Sequence, residues 1–165
     1  MLVDTIGSID DLIENNAAIF NKSMSFLLSK YKTIKSEWVN ANECVQDIIS
    51  TDYGKEEPFT DSEPCLIFRG KDINEIKNGI VAQPPVRYVA KKKFKNRVCL
   101  NNDILIEISG GTPTQSTGRC CFITEPILSV YKCSASTAGF SKIIRGKNPI
   151  DTFSLFLSLT EAYEL

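Results

Sequence analysis

The sequence predicts an α+β protein in which a compact, β-rich domain is attached to a long, coiled-coil-like N-terminal helix. Three observations predict this class. Apolar residues recur every seven positions over residues 6–36, and the apolar spacing falls to two from Cys65 onward. A second helical pattern then follows Asp151, a residue that often caps helix N-termini. A chain of 165 residues that mixes these periods is expected to form one domain with an appended helix.

The long helix is predicted from an unbroken heptad pattern without proline. Its apolar seam is formed by Ile6, Ile13, Phe20, Leu27 and Ile34. A seven-residue period kept over this length is typical of a coiled-coil interface. The helix would span roughly 45 Å, which is long for a helix packed only on a small domain. We therefore expect part of this seam to be covered by another chain or by a further segment, and packing on its own domain is the alternative.

The remaining elements follow from local patterns and turn residues. A short helix is predicted over Glu43–Ile49, and an acidic loop over Ser50–Pro64. Strands are predicted at Cys65–Arg69, Ile80–Ala90, Ile104–Ile108, Cys120–Ile123, Ile127–Cys133 and Phe140–Arg145. Cys120 and Cys121 are expected to face opposite sides of their strand. The chain is thus divided into a connecting helix over 1–38, a β-rich domain over 39–148 and a closing helix over 149–165, which we expect to be truncated.

A polar loop dominates the centre of the chain. The segment Asp103–Arg119 reads DILIEISGGTPTQSTGR, a strand followed by a loop with three glycines, one proline and many hydroxyl or amide side chains. Such a loop offers neutral donors and acceptors and one cation, which suits contact with a polar, anionic surface. Gln115 could bond to an adenine edge and Arg119 to a guanine. A plain turn between two strands is the alternative.

A basic run precedes this loop and carries no acid. Six cations alternate with Tyr88 and Phe94 over eleven residues: Arg87, Lys91, Lys92, Lys93, Lys95 and Arg97. A run of this density can neutralise several phosphates and favours nucleic acid as the partner. The charge of the chain is also divided. Residues 1–66 have a balance of −7 and residues 67–165 a balance of +6. A solvated lysine-rich turn is the alternative.

Metal, membrane and secretory classes find little support in the composition. The six cysteines include no CxxC pair and there is no histidine, so we expect neither a metal nor a cofactor. No apolar run of about twenty residues is present for a membrane span. The N-terminus lacks the apolar segment of a signal peptide. We therefore expect a cytoplasmic protein with reduced, mostly buried cysteines.

Catalytic motifs are incomplete. The glycine-rich loop has the wrong spacing for a phosphate loop, and Arg119-Cys120 stands where Lys-Ser/Thr is needed. Gln83-Pro84-Pro85-Val86 lacks the aromatic residue of an amino-methyltransferase site. Asp103, Glu107 and Glu125 do not form a nuclease signature, and a cysteine nucleophile would have no histidine base. We therefore expect a non-catalytic protein.

Several stretches together resemble the specificity subunits of type I restriction-modification systems. The central DILIEISGGTPTQSTGR resembles the middle strand and loop of their target recognition domains. Ile67–Ile73 (IFRGKDI), Arg87-Tyr88-Val89, Cys133-Ser134 and Phe140–Arg145 (FSKIIR) agree in the same order. The leading SIDDLIENN is similar to the long helix that joins one recognition domain to the next. The resemblance covers nearly the whole chain.

The resemblance implies that residues 39–148 are one target recognition domain, which reads half of a bipartite site in double-stranded DNA. It also implies that the helix docks methyltransferase subunits and, through them, restriction subunits. The residues expected to contact DNA are Arg69, Lys71, Arg87, Lys91, Lys92, Lys93, Lys95, Arg97, Thr112, Thr114, Gln115, Ser116, Thr117 and Arg119.

The chain departs from the family in carrying one recognition domain and one helix, where a full subunit carries two of each. It is expected to be a fragment, a truncated product or a half-subunit that forms a homodimer through its helix. Two other classes stay open. One is a helical protein-interaction module without DNA specificity, and the other is a small nucleic-acid enzyme.

Overall fold

The computed structural model describes residues 2–34, 39–109 and 117–164, which form a mixed α and β structure with a long N-terminal helix. The helices are α1 (Leu2–Thr33), α2 (Ala41–Cys44), α3 (Gly70–Lys77), α4 (Lys91–Phe94), α5 (Glu125–Ser129) and α6 (Pro149–Glu164). The strands are β1 (Val45–Ile49), β2 (Ser62–Phe68), β3 (Val86–Ala90), β4 (Ile104–Glu107), β5 (Cys120–Phe122), β6 (Ala135–Thr137) and β7 (Ser141–Gly146).

The strands form two sheets. An antiparallel sheet has the order β1-β7-β4-β5, and a smaller sheet has the order β3-β2-β6 with β6 parallel to β2. Alternate residues of β4 enter different cores: Leu105 packs with Phe68 of the smaller sheet, whereas Ile104 packs with Phe156 of α6. Since successive side chains of a strand point to opposite faces, the antiparallel sheet forms a central layer with core on both faces.

Only one half of α1 packs on this body. Leu28 is buried, and the Tyr31 hydroxyl lies 2.7 Å from that of Ser158 on α6. By contrast, every residue from Ile6 to Asn16 is exposed. At 1.5 Å per residue these eleven residues correspond to about 16 Å of helix, so α1 presents a substantial exposed length before it meets the domain.

Several sequence predictions are confirmed. The N-terminal segment is one long helix, which ends at Thr33, one residue before the predicted seam residue Ile34; residues 35–38 of the predicted helix lie outside the described residues. Strand β4 lies within the predicted central strand, and β5 and β7 fall where strands were predicted. Cys120 and Cys121 lie in different core clusters, as expected of neighbours on a strand. All six cysteines are free within the described residues, and four of them are buried. Burial raises the pKa of Cys65 to about 12, which keeps its thiol protonated.

Two assignments of secondary structure are wrong, and a third is wrong over its first half, since only Val86–Ala90 of the predicted strand Ile80–Ala90 is a strand. Most of Glu43–Ile49 is strand β1, because β-branched residues there pair with β7. Ile127–Cys133 contains no strand: α5 occupies its first half, and Pro126 stands in the first turn of that helix, where proline is tolerated. Both segments are short, and their apolar residues fit either a helix or a strand until a neighbouring element is present.

Two details at helix starts also differ from expectation. Asn148, and not Asp151, caps α6, since its side-chain oxygen accepts the Asp151 N–H at 2.9 Å. Helix α3 was not predicted, and its start coincides with the basic residues at 69–71. Among the described residues, no helix is both long and apolar enough to cross a membrane.

Candidate nucleic-acid interface

Helix α4 presents the centre of the basic run at the surface. Lys91, Lys92 and Lys93 are exposed, whereas Phe94 is 2% exposed and packs in the core of the smaller sheet. The Lys91 N–H donates to the Asp61 carbonyl at 2.9 Å, which fixes the start of the helix beside β2. A buried aromatic side chain and a backbone bond thus hold the three lysines on a folded surface. Lys95 and Arg97 follow and are exposed.

Acids from the preceding loop contact this basic run. Arg87 donates to Glu56 at 2.5 Å, and the Lys93 ammonium lies 3.1 Å from the Asp52 carboxylate. These acids are 31 and 41 residues away in the chain. The positive surface is therefore partly neutralised by the protein itself, and within the described residues no ion pair is seen for Lys91, Lys92 or Lys95.

A second group of predicted residues lies at the base of the polar loop. Arg119 is largely buried, and its guanidinium lies 2.8 Å from the Glu107 carboxylate and donates to the Gly70 carbonyl at 3.2 Å. Arg69 donates to Asp72 through both its backbone and its guanidinium, each at 2.8 Å, and Lys71 is exposed beside Glu75. Hydrogen bonding to Asp72 raises the pKa of Arg69. The start of α3 and the end of β4 are thus joined.

The two groups are separated along β2. Lys91 is tied to the segment just before β2, whereas Arg69 directly follows its last residue. A strand of this length spans about 20 Å, roughly six base pairs of duplex at 3.4 Å each. Arg97 is exposed and donates to the Ser50 carbonyl at 3.1 Å.

The part of the loop predicted to read bases is only partly described. Thr112, Thr114, Gln115 and Ser116 lie outside the described residues. Thr117 is exposed at the edge of the loop, and Gly118 donates to the Glu107 carbonyl at 2.8 Å. The hairpin formed by β4 and β5 therefore places both described ends of the loop, 108–109 and 117–119, beside the start of α3.

The predicted helix seam is mostly exposed. Ile6, Ile13 and Ile34 are each more than half exposed, and Leu27 is 38% exposed. Phe20 is half-buried and lies against the position of Gly79. A groove of about 720 Å³ between α1 and the body is lined by Phe20, Met24 and Leu28 on one side and by Ile76, Tyr131 and Phe156 on the other.

The three carboxylates considered for a nuclease do not form one cluster, because each has a different environment. Asp103 precedes β4 and pairs with Arg145, whereas Glu107 ends β4 and pairs with Arg119, each at 2.8 Å. Glu125 is exposed at the start of α5. Within the described residues, no group of three or more metal-binding side chains is assembled.

Sequence reasoning missed several groups near the predicted site. Asp52 and Glu56 were assigned only to an acidic loop, although the acidity of that loop was the signal for contact with the basic run. Lys142 bonds to the Ser50 hydroxyl at 2.7 Å, and Phe140 is 65% exposed beside Ile108, whose N–H donates to the Phe140 carbonyl. Both residues belong to the predicted strand Phe140–Arg145, but no local pattern predicts their contacts with Ser50 and Ile108, because these contacts join segments that are distant in the sequence.

No protein-family model matches the chain, and no curated protein matches it. The similarity to type I specificity subunits therefore rests on the sequence motifs alone.

Proposed function

We propose that this chain is a sequence-specific DNA recognition module of a type I restriction-modification complex. In this role it reads half of a bipartite target and directs methyltransferase subunits, and through them restriction subunits, to that target. The observation that carries the proposal is the basic surface of α4 together with the motif-bearing polar loop. The chain acts as a non-catalytic, cytoplasmic component without a cofactor of its own.

The exposed lysines support contact with phosphates. Three of them share one short helix that is anchored by Phe94, so their positions are set before any partner arrives. Phosphate contacts position a protein on DNA, whereas sequence is read at base edges. The α4 lysines and the residues at the start of α3 lie about 20 Å apart, at opposite ends of β2. This separation allows the two groups to contact different parts of the duplex. The α4 lysines would contact the phosphate backbone, and side chains of the polar loop would contact the bases.

A second candidate function is favoured by α1. An exposed helix with a wide apolar face is an interaction surface in its own right. In this alternative α1 binds a protein partner, and the lysines of α4 are only solvent-exposed surface residues. Duplex binding distinguishes the two candidate functions. A DNA recognition module prefers its selected duplex over a random one, whereas a protein-interaction module shows no such preference.

The test is duplex binding measured by fluorescence anisotropy over a range of salt concentrations. The duplex is selected from a random library, first with the chain alone and then with its methyltransferase subunit. Changing Lys91, Lys92 and Lys93 to Ala should flatten the log–log salt slope by up to about 2.7, since each phosphate contact contributes about 0.9. The loss should be similar on selected and random duplexes.

A matched variant controls for net charge. Lys132 and Lys147 are exposed and Lys77 is partly exposed, and all three lie outside the basic run and are not on α1. Changing these three to Ala removes the same charge, and we expect the salt slope to stay within about 0.5 of the wild-type value, since no phosphate contact is lost. Equal slopes for the two triple variants would contradict a specific phosphate role for α4.

The acids beside the basic run give a prediction of opposite sign. Changing Asp52 to Asn and Glu56 to Gln should strengthen duplex binding at low salt by about threefold to tenfold, because two exposed ion pairs no longer compete with phosphate. The control changes Glu43 and Glu125, two exposed acids that are not on α1, to Gln. An unchanged affinity in the first variant would place DNA elsewhere on the surface.

A further inference from the structure

The base of the polar loop contains a buried ion pair whose contacts reach three elements. Glu107 is 5% exposed, and its carboxylate lies 2.8 Å from the Arg119 guanidinium. Glu107 ends β4, Arg119 immediately precedes β5, and the Gly70 carbonyl that accepts from Arg119 belongs to the first residue of α3. One pair of side chains therefore joins both arms of the hairpin to a helix almost fifty residues away.

The backbone around this pair is closed by hydrogen bonds. The Glu107 N–H donates to the Arg119 carbonyl at 2.9 Å, and the Gly118 N–H donates to the Glu107 carbonyl at 2.8 Å. The Ile108 N–H donates to the Phe140 carbonyl at 2.8 Å, which ties the outgoing arm to the turn before β7. The described ends of the loop are therefore held on both sides.

The Glu107–Arg119 pair packs closely against Gly70, the first residue of α3. A Cβ placed on Gly70 would overlap the Glu107 carboxylate, so only glycine allows this close approach. The N-terminus of a helix carries partial positive charge, which favours a carboxylate at this position. Arg119 is thus engaged by two acceptors inside the protein.

We propose that Glu107 and Arg119 are positioning residues for DNA recognition: their buried ion pair fixes the two described arms of the β4–β5 hairpin against α3. This inference rests on the proposed function and changes the role expected of Arg119, which was a direct contact with a guanine. Residues 110–116, which connect the arms, lie outside the described residues.

The same strand supplies a matched control. Asp103, at the other end of β4, is 2% exposed and pairs with Arg145 at the same distance of 2.8 Å. Both ion pairs are buried and both anchor β4, but only the Glu107 pair adjoins the loop. Glu107→Gln and Asp103→Asn are isosteric changes that remove one charge from each pair.

The experiment combines amide hydrogen exchange with duplex binding. Glu107→Gln should raise exchange at Gly118 and Ile108 by about tenfold or more, while Ile123, whose N–H donates to the Asp103 carbonyl, stays unchanged. Asp103→Asn should give the reverse pattern. Arg119→Lys, which keeps the charge but loses the planar fork, is the milder second variant if Glu107→Gln folds poorly.

Binding is then expressed as the affinity ratio between the selected and a random duplex. Glu107→Gln and Arg119→Lys should each lower this ratio by about tenfold, the order of one base pair's discrimination. Their double variant should lose no more than either alone, as expected for residues acting as one unit. Asp103→Asn should leave the ratio within about twofold of the wild type.

Three outcomes would overturn the positioning role. The first is unchanged exchange at Gly118 and Ile108. The second is a specificity ratio that survives although the arms exchange faster. The third is a loss confined to Arg119 variants and to a single base pair, which would make Arg119 a direct reader. If the wild-type chain shows no sequence preference, alone or with its methyltransferase subunit, the proposed function is contradicted. In that case the hydrogen-exchange pattern alone shows whether the Glu107–Arg119 pair holds the hairpin.

Discussion

Replacing Arg145 with Met is expected to lower the free energy of unfolding by about 3–5 kcal/mol, the range for removing one partner of a buried ion pair. The Arg145 guanidinium donates to both oxygens of Asp103, at 3.0 and 2.8 Å, and to the Val98 carbonyl at 2.8 Å. Asp103 also accepts the Leu100 N–H at 2.7 Å. Without Arg145, a carboxylate that is 2% exposed keeps its burial and loses its counter-ion.

Urea denaturation followed by circular dichroism measures this change. For domains of ordinary stability, about 5–15 kcal/mol, the loss would be a large share of the total. The matched control is Arg87→Met, which breaks an ion pair with an exposed partner, Glu56, and should cost about 0.2–1 kcal/mol. Similar losses in the two variants would show that the Asp103–Arg145 pair is not a strong element of the core.

Wild-type protein is expected to self-associate through α1 at micromolar concentration, and Ile6→Glu with Ile13→Glu should release monomers. Both side chains are more than half exposed, together with Ile9 and Leu12. Soluble monomers rarely keep contiguous apolar surface of this kind. Burying each isoleucine contributes about 1.5–3 kcal/mol, so we expect the two changes to weaken association by about 100-fold or more.

The charges of α1 favour an antiparallel pair. Asp10, Asp11 and Glu14 lie in its first half, whereas Lys22 and Lys30 lie in its second half, and all five are exposed. Antiparallel packing of two copies brings opposite charges together, whereas parallel packing brings like charges together. Such a dimer would place two β-rich domains at opposite ends of a helix pair, the layout that the proposed function requires for a bipartite site.

Sedimentation equilibrium decides between monomer and dimer. Phe20 is a poor choice for this test because it packs at Gly79 of its own domain. Ile48→Glu with Ile150→Glu is the matched control, since both isoleucines are exposed on the body at 67% and 79%. A wild-type chain that stays monomeric at micromolar concentration and above would contradict the interface, and so would equal dissociation in the two double variants.

Patterns that act within a few residues could be interpreted from the sequence alone. The heptad spacing of Ile6, Ile13 and Phe20 predicted a long helix, because a 3.6-residue turn aligns those side chains whatever lies beside them. Two-residue alternation placed Cys120 and Cys121 in different cores for the same local reason. The density of lysines over residues 91–95 also predicted an exposed surface, since burying several like charges is too costly.

Tertiary structure decided what depends on distant partners. The Val45–Ile49 segment became a strand because it pairs with β7, whereas the 127–133 segment pairs with no strand in the described fold and begins within helix α5. Asp52 and Glu56 reach the basic run from more than thirty residues away. The sequence predicted Arg119 to be a cation available to DNA, whereas in the fold it contacts the Glu107 carboxylate and the Gly70 carbonyl. Electrostatic and hydrogen-bonding energies depend on spatial distance and burial, and a linear pattern contains neither quantity.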